Sequence, residues 1–205
     1  MMRRLIALSV AALVTSGCTV PLSLGAPKST DWRTAANESD RERLRDWRPT
    51  LERALAKASA AGHGSEIAVE GPLLALDSAI DSNIPTGTYR CRVIKLGART
   101  ERNRDFVAYG PFTCRIGLSG SVKSFHLIGG VQRPAGYIYP ADRLRSVFLG
   151  ALSLGDERAD IKYGIDPDRD MAGWVERIGD SRWRIVLPEP RLESLADVIE
   201  LVPAA

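Results

Sequence analysis

From Gly87 to the C-terminus, apolar and polar side chains alternate with a period of two. Tyr89, Cys91 and Val93 alternate with Arg90 and Arg92, and Phe112, Cys114, Ile116 and Leu118 alternate with Thr113 and Arg115. Such alternation turns one face of a strand toward a core and the other toward water. The pattern predicts strands over 88–97, 106–118, 122–130, 135–140, 144–153, 171–178, 182–188 and 197–202. Turn signals such as Leu118-Ser119-Gly120, Arg133-Pro134 and Gly179-Asp180-Ser181 separate them. Short strands in hairpin succession predict a small antiparallel barrel, with a sandwich as the alternative.

Upstream the period changes. Leu44, Trp47, Leu51, Leu55 and Ala58 recur at spacings of three and four, the apolar face of a helix over 37–61. Asn37 or Ser39 can cap it and Gly62 can end it, while Pro49 predicts a kink or two helices. Residues 65–76 predict a further short helix broken at Gly71-Pro72. The expected fold is α+β, mainly β: N-terminal helices over 30–80 capping a small antiparallel β-barrel of about eight strands over 87–205, one domain spanning 30–205.

Cys91 and Cys114 each lie on the apolar face of a predicted strand. A turn centred between Arg102 and Asn103 would set them directly opposite, with Tyr89 facing Ile116 and Val93 facing Phe112. An even pair in an oxidising compartment reads as a structural disulfide. Pro111 cannot donate to a ladder, so its amide side must face an edge or a bulge.

The N-terminus predicts that compartment. Arg3 and Arg4 precede an uncharged run from Leu5 to Val14, the length of a signal h-region. Thr15-Ser16-Gly17-Cys18 resembles the lipobox of bacterial lipoproteins, although Thr15 stands where Leu or Val is usual. That resemblance implies a signal peptide over 1–17, lipid on Cys18 and a lipidated tether over 18–29. Cleavage after Ala26 and an uncleaved anchor are the alternatives. The expected location is the outer membrane, facing the periplasm after export across the inner membrane, with the membrane itself a partner through the lipid.

Composition narrows the picture. The 205 residues are 44% hydrophobic and 26% charged, which excludes a disordered tail and a multi-pass membrane protein. The formal charge of +3 falls to +1 when residues 1–17 are removed, so no nucleic-acid partner is expected.

Candidate chemistry is sparse. His63 follows a helix and His126 lies mid-strand, and no metal or other cofactor is called for. Ala151-Leu152-Ser153-Leu154-Gly155 approaches an esterase elbow but lacks its first glycine and a downstream histidine. Asp166-Pro167-Asp168-Arg169-Asp170 has the alternate acids of a calcium loop without its later glycine and glutamate. Asp156, Glu157, Asp168, Asp170 and Glu176 supply carboxylates that a hydrolase would need to bring together. Arg90, Arg92 and Arg115 would share one face of the first hairpin, with Arg90 opposite Arg115. They are possible ligand or anion contacts, or they pair with acids of neighbouring strands.

The stretches 89–97, 147–157, 169–173, 176–180 and 182–188 and the ending 198–203 resemble the family called domain of unknown function 4893. The resemblance implies a secreted alphaproteobacterial protein and carries no activity or site. The function expected is a non-enzymatic envelope lipoprotein binding a small ligand or an envelope protein, inhibitor-like or lipocalin-like. A hydrolase using carboxylates of 156–170 and an outer-membrane structural or assembly factor are the alternatives.

Overall fold

Eight antiparallel strands follow one another around a closed barrel, each paired with its sequence neighbours and β1 with β8. The computed structural model describes residues 24–27, 29–155, 157 and 159–204. The strands are β1 (Gly87–Ala98), β2 (Phe106–Ser119), β3 (Val122–Ile128), β4 (Gln132–Pro140), β5 (Ser146–Leu154), β6 (Asp170–Gly179), β7 (Arg182–Pro188) and β8 (Ser194–Pro203). Each predicted strand is present, within a few residues of its expected bounds.

The register of the first hairpin differs from expectation. Tyr89 faces Cys114, Cys91 faces Phe112 and Gly87 faces Ile116. Cys91 and Cys114 are therefore diagonal neighbours, joined by a disulfide across Cα atoms 5.9 Å apart. Arg90 faces Thr113 and Arg115 faces Thr88, so the two arginines do not oppose each other. The cause is asymmetric chain geometry. Asp105 accepts the Ala98 N–H at 2.8 Å through its side chain and the Gly97 N–H at 2.8 Å through its carbonyl, so β2 begins early, against Leu96. A bulge between Cys91 and Val93 then absorbs Gly110 and Pro111, where a proline lacking its N–H is tolerated. A Cβ on Gly110 would lie 2.9 Å from the Cys91 carbonyl oxygen, and its φ of +132° suits glycine alone.

Inward side chains fill the lumen. Tyr89, Phe125, Phe148, Trp183 and the disulfide pack with Ile116, Ile185, Ile199 and Leu201 in one cluster. Gly136 and Gly150 face each other across β4 and β5, in a row with inward Phe125 and Met171. A Cβ on Gly150 would lie 2.4 Å from the Phe148 ring, so the missing side chain makes room for the edge-to-face pair of Phe148 and Phe125 at 5.5 Å. The end of the barrel near Gly87 is plugged by the segment before β1. Ile84 is fully buried among the lumen residues, and the carbonyls of Asn83, Ile84 and Pro85 accept from Trp183 Nε1, Lys123 Nζ and the Tyr89 hydroxyl.

The helices cover the outer wall. They are α1 (Trp32–Ala35), α2 (Glu38–Arg45), α3 (Trp47–Ala58) and α4 (Gly64–Glu70). Asn37 caps α2 by accepting the Asp40 N–H at 2.8 Å. The expected helix over 37–61 breaks at Asp46, which leaves Pro49 in the first turn of α3, where its missing N–H costs nothing. Gly62 makes the next turn at a φ of +97°, and a tight turn at Gly71–Leu73 follows α4. Leu51, Ala54 and Ala58 pack on Ile94, Leu96, Val186 and Val198, while Trp32, Leu44 and Ala36 pack on Val147, Leu149 and Tyr139. Burying each large side chain contributes about 1.5–3 kcal/mol. Leu24 is already buried and the Gly25 carbonyl accepts from the Tyr137 and Ser119 hydroxyls, so the expected tether joins the domain before residue 29. Residues 1–17 and Cys18 lie outside the described residues.

Candidate functional site

At the end of the barrel opposite the plug, where Pro190, Arg191 and Leu192 line the mouth with Leu187 and Ile199, the wall is split. β2 pairs with β3 only from Thr113 onward, so residues 106–112 have β1 on one side and no strand on the other. β4 pairs with β3 only through Ala135–Ile138, so residues 132–134 have β5 alone. The turn carrying Gly129 and Gly130 crosses below this gap, with Gly130 against the Phe112 ring. Ala108, Tyr109, Gly110 and Pro111 are exposed.

Inside the split lies a cavity of about 140 Å³ lined by Val93, Tyr109, Phe112, Val131, Gln132 and Glu193 among others. Its floor carries Lys95, which alternation sets on the inward face with Val93. Lys95 Nζ lies 3.1 Å from Asp197 and 3.4 Å from Glu193. Burial opposes the Lys95 charge, but Asp197 and Glu193 outweigh it, and its pKa is raised. A groove of about 350 Å³ continues along β2 past Val107 to Arg102 and Arg104. Neither of those arginines has an acidic partner among the described residues.

A wider cleft of about 930 Å³ opens outside the barrel, between α2, α3 and the β7–β8 loop. Its charges largely neutralise one another. Arg53 lies 3.2 Å from Glu189, Arg43 pairs with buried Asp40, and Arg99 donates to the carbonyls of Pro190 and Ser194. Behind it, Asp40 also accepts from the Tyr163 hydroxyl, and Asp170 accepts the Gly164 N–H at 2.8 Å. Burial first, and then the nearby Asp40 carboxylate, raise the Asp170 pKa, against the Gly164 hydrogen bond.

The predicted site residues separate. Arg92 is held by Glu200 at 2.6 Å and Glu70 at 2.8 Å, the pairing with neighbouring acids that was one of its two expected roles. Arg90 and Arg115 are exposed on the outer wall, away from the cavity in the split. His126 Nδ1 lies 2.9 Å from Asp160, and His63 Nδ1 lies 2.8 Å from Glu66. Ser153 is fully buried in β5 and its hydroxyl accepts the Ile161 N–H; among the described residues no helix lies between β5 and β6. Of the carboxylates, Glu157 and Asp166 pair with Arg169, Asp170 is buried, Asp168 borders the wide cleft, and Asp156 is outside the described residues. Glu176 lies elsewhere, fully buried against Arg184 at 2.6 Å and Arg145 at 2.5 Å. Among the described residues no group of three His, Cys, Asp or Glu side chains converges as a metal site requires.

Sequence reasoning missed Lys95, although its inward parity was readable. It also missed the outer-wall row in which Arg92, Glu200, Arg184 and Glu176 face one another in turn, because nothing in the local pattern marked Arg184 and Glu200 as buried. The signals for the split wall were Pro111 and Gly129-Gly130.

Fold and site together define a class: a filled, helix-covered antiparallel barrel with one split in its wall. The chain belongs to the family described as domain of unknown function (DUF4893), whose model matches residues 32–201. It matches no curated protein and no solved structure.

Proposed function

We propose that this chain is a lipid-anchored protein of the cell envelope, at the outer membrane, whose barrel binds another protein and carries no small lipophilic ligand. The observation that carries this reading is the filled lumen. Phe125, Phe148, Tyr89, Trp183 and Ile84 occupy the space that a lipocalin leaves for its ligand. The cavity remaining in the split is about 140 Å³, against the roughly 300–1,000 Å³ of small-molecule pockets, and the larger groove and outer cleft are lined mainly by charged side chains, which do not suit a lipophilic ligand. The Cys91–Cys114 disulfide supports an oxidising compartment, and the N-terminal pattern around Cys18 supports export and lipidation.

Two measurements test the reading. Metabolic labelling with a palmitate analogue marks the native chain and leaves Cys18→Ser unlabelled; retained label in the variant would refute anchoring there. A fluorescent fatty acid titrated into the purified chain gives no saturable signal. Stoichiometric, saturable uptake would overturn the filled-lumen argument and with it the protein-binding role.

A further inference from the structure

Among the described residues, the unpaired side of β2 over 106–112 is the longest stretch of strand edge that the barrel leaves open. In an antiparallel pair, alternate residues direct their N–H and C=O groups away from the partner strand. Over residues 106–112 those groups face the split, with no strand to receive them. Proteins usually blunt such an edge with charge, a cover or extreme shortness. Here the stretch Ala108–Pro111 is exposed, and Tyr109, at 45% exposure, presents an aromatic ring beside it. Pro111 removes one donor near the lower end, which sets a limit on how far a ladder can extend downward.

Three features surround the edge. Val93, Phe112 and Val131 make an apolar slot beside it, and Val131 is 73% exposed. The groove running on from the slot ends at Arg102 and Arg104, cations without acidic partners among the described residues. Lys95 adds a third cation at the floor, already held by Asp197 and Glu193. An open hydrogen-bonding ladder selects an extended backbone, the slot selects apolar side chains on one face, and the groove selects negative charge toward one end.

We propose that the split wall is a strand-docking site. An extended, acidic segment of a protein partner adds to β2 along 106–112, sets alternate apolar side chains into the slot between Tyr109, Phe112 and Val131, and directs its carboxylates at Arg102 and Arg104. This rests on the protein-binding reading above and names where and how the partner binds.

The test uses the full mature chain and three capped eight-residue peptides. One alternates valine with glutamate, the second is its counterpart with alternate amides N-methylated, and the third replaces glutamate by lysine. The readout is backbone hydrogen exchange. The glutamate peptide slows exchange across 106–112 by about tenfold or more, the lysine peptide does so far less, and the N-methylated peptide has no effect. Arg102→Glu combined with Arg104→Glu reverses the preference between glutamate and lysine. Equal protection by the N-methylated peptide, or none by any peptide, would overturn the proposal. Protection of 106–112 that rises with protein concentration alone would give the edge to a second copy of the chain and likewise overturn it. Failure of this site and failure of the protein-binding reading separate in native envelopes. With Tyr109→p-benzoylphenylalanine and Arg53→p-benzoylphenylalanine compared, protein adducts from position 53 alone reject the split wall and leave the broader reading standing. Adducts from neither reject both.

Discussion

Arg184 shows what one misread side chain conceals. It lies between inward Trp183 and Ile185, so alternation turns it outward, where an arginine ordinarily meets water. In the fold it is fully buried, because the turn after α4 lies over it. Its guanidinium donates to the carbonyls of Leu73 at 2.8 Å and Ala75 at 2.6 Å while pairing with Glu176. Burial lowers its pKa against the pull of Glu176. Removing one partner of a buried pair leaves an uncompensated charge, so Glu176→Ala is expected to destabilise by about 3–5 kcal/mol in urea unfolding. Arg184→Met with Glu176→Leu, which removes both members of the fully buried pair and leaves the partly exposed Arg145 without its acid, is expected to recover part of that loss; a double variant as unstable as Glu176→Ala would contradict the account. The disulfide partners were readable from parity and compartment, whereas burial on the outer wall depended on helices whose docking position no local pattern encodes.

At the scale of elements, β4 and β5 show how the lumen is filled. Their facing glycines allow the Phe125–Phe148 pair to lie over the strands. Gly150→Ala forces a methyl group into the Phe148 ring and the Ala135 carbonyl and is expected to cost about 1–3 kcal/mol. Phe148→Leu in the same chain relieves part of the clash. Denaturant midpoints of the two variants check this, and an unchanged midpoint for Gly150→Ala would show that the pair does not need the space. Strand positions were legible because alternation and turns are local. The register of β1 on β2 was not, since a symmetric turn was assumed where Asp105 draws β2 in early and the bulge at Gly110-Pro111 shifts the pairing again. The break at Asp46 was half legible: Pro49 signalled two helices but marks the first turn of the second.

The whole molecule is held by charge as well as by its core. Glu200 ties β1, β7 and β8 together through Arg92 and Arg182. Burial works against its carboxylate, but hydrogen bonds from those two arginines overcome it and hold its pKa below the usual range. A depressed carboxylate stabilises the fold above its unfolded pKa of about 4.3 and loses that contribution as pH falls through the folded value. Asp170, raised by burial, acts with the opposite sign: its stabilising contribution is full at low pH and lost as pH rises through its folded pKa. Glu200→Gln is therefore expected to flatten the loss of stability between pH 7 and pH 3, and Asp170→Asn to steepen it, in urea midpoints measured across that range. The same slope for all three chains would dismiss both assignments. The barrel class and its helical cover were legible at this scale, while the split wall was not, because it arises from where β3 stops. The contact of Gly25 with Ser119 and Tyr137 has one further consequence. It moors the chain at the plugged end, beside the β2–β3 turn. From Cys18 to Leu24 the backbone spans at most about 20 Å, and along β2 the strand edge at Tyr109 stands about 30 Å beyond Ser119. On the anchoring proposed above, the lipid holds the barrel by its keel, and the split wall rides high, presented to whatever crosses the compartment.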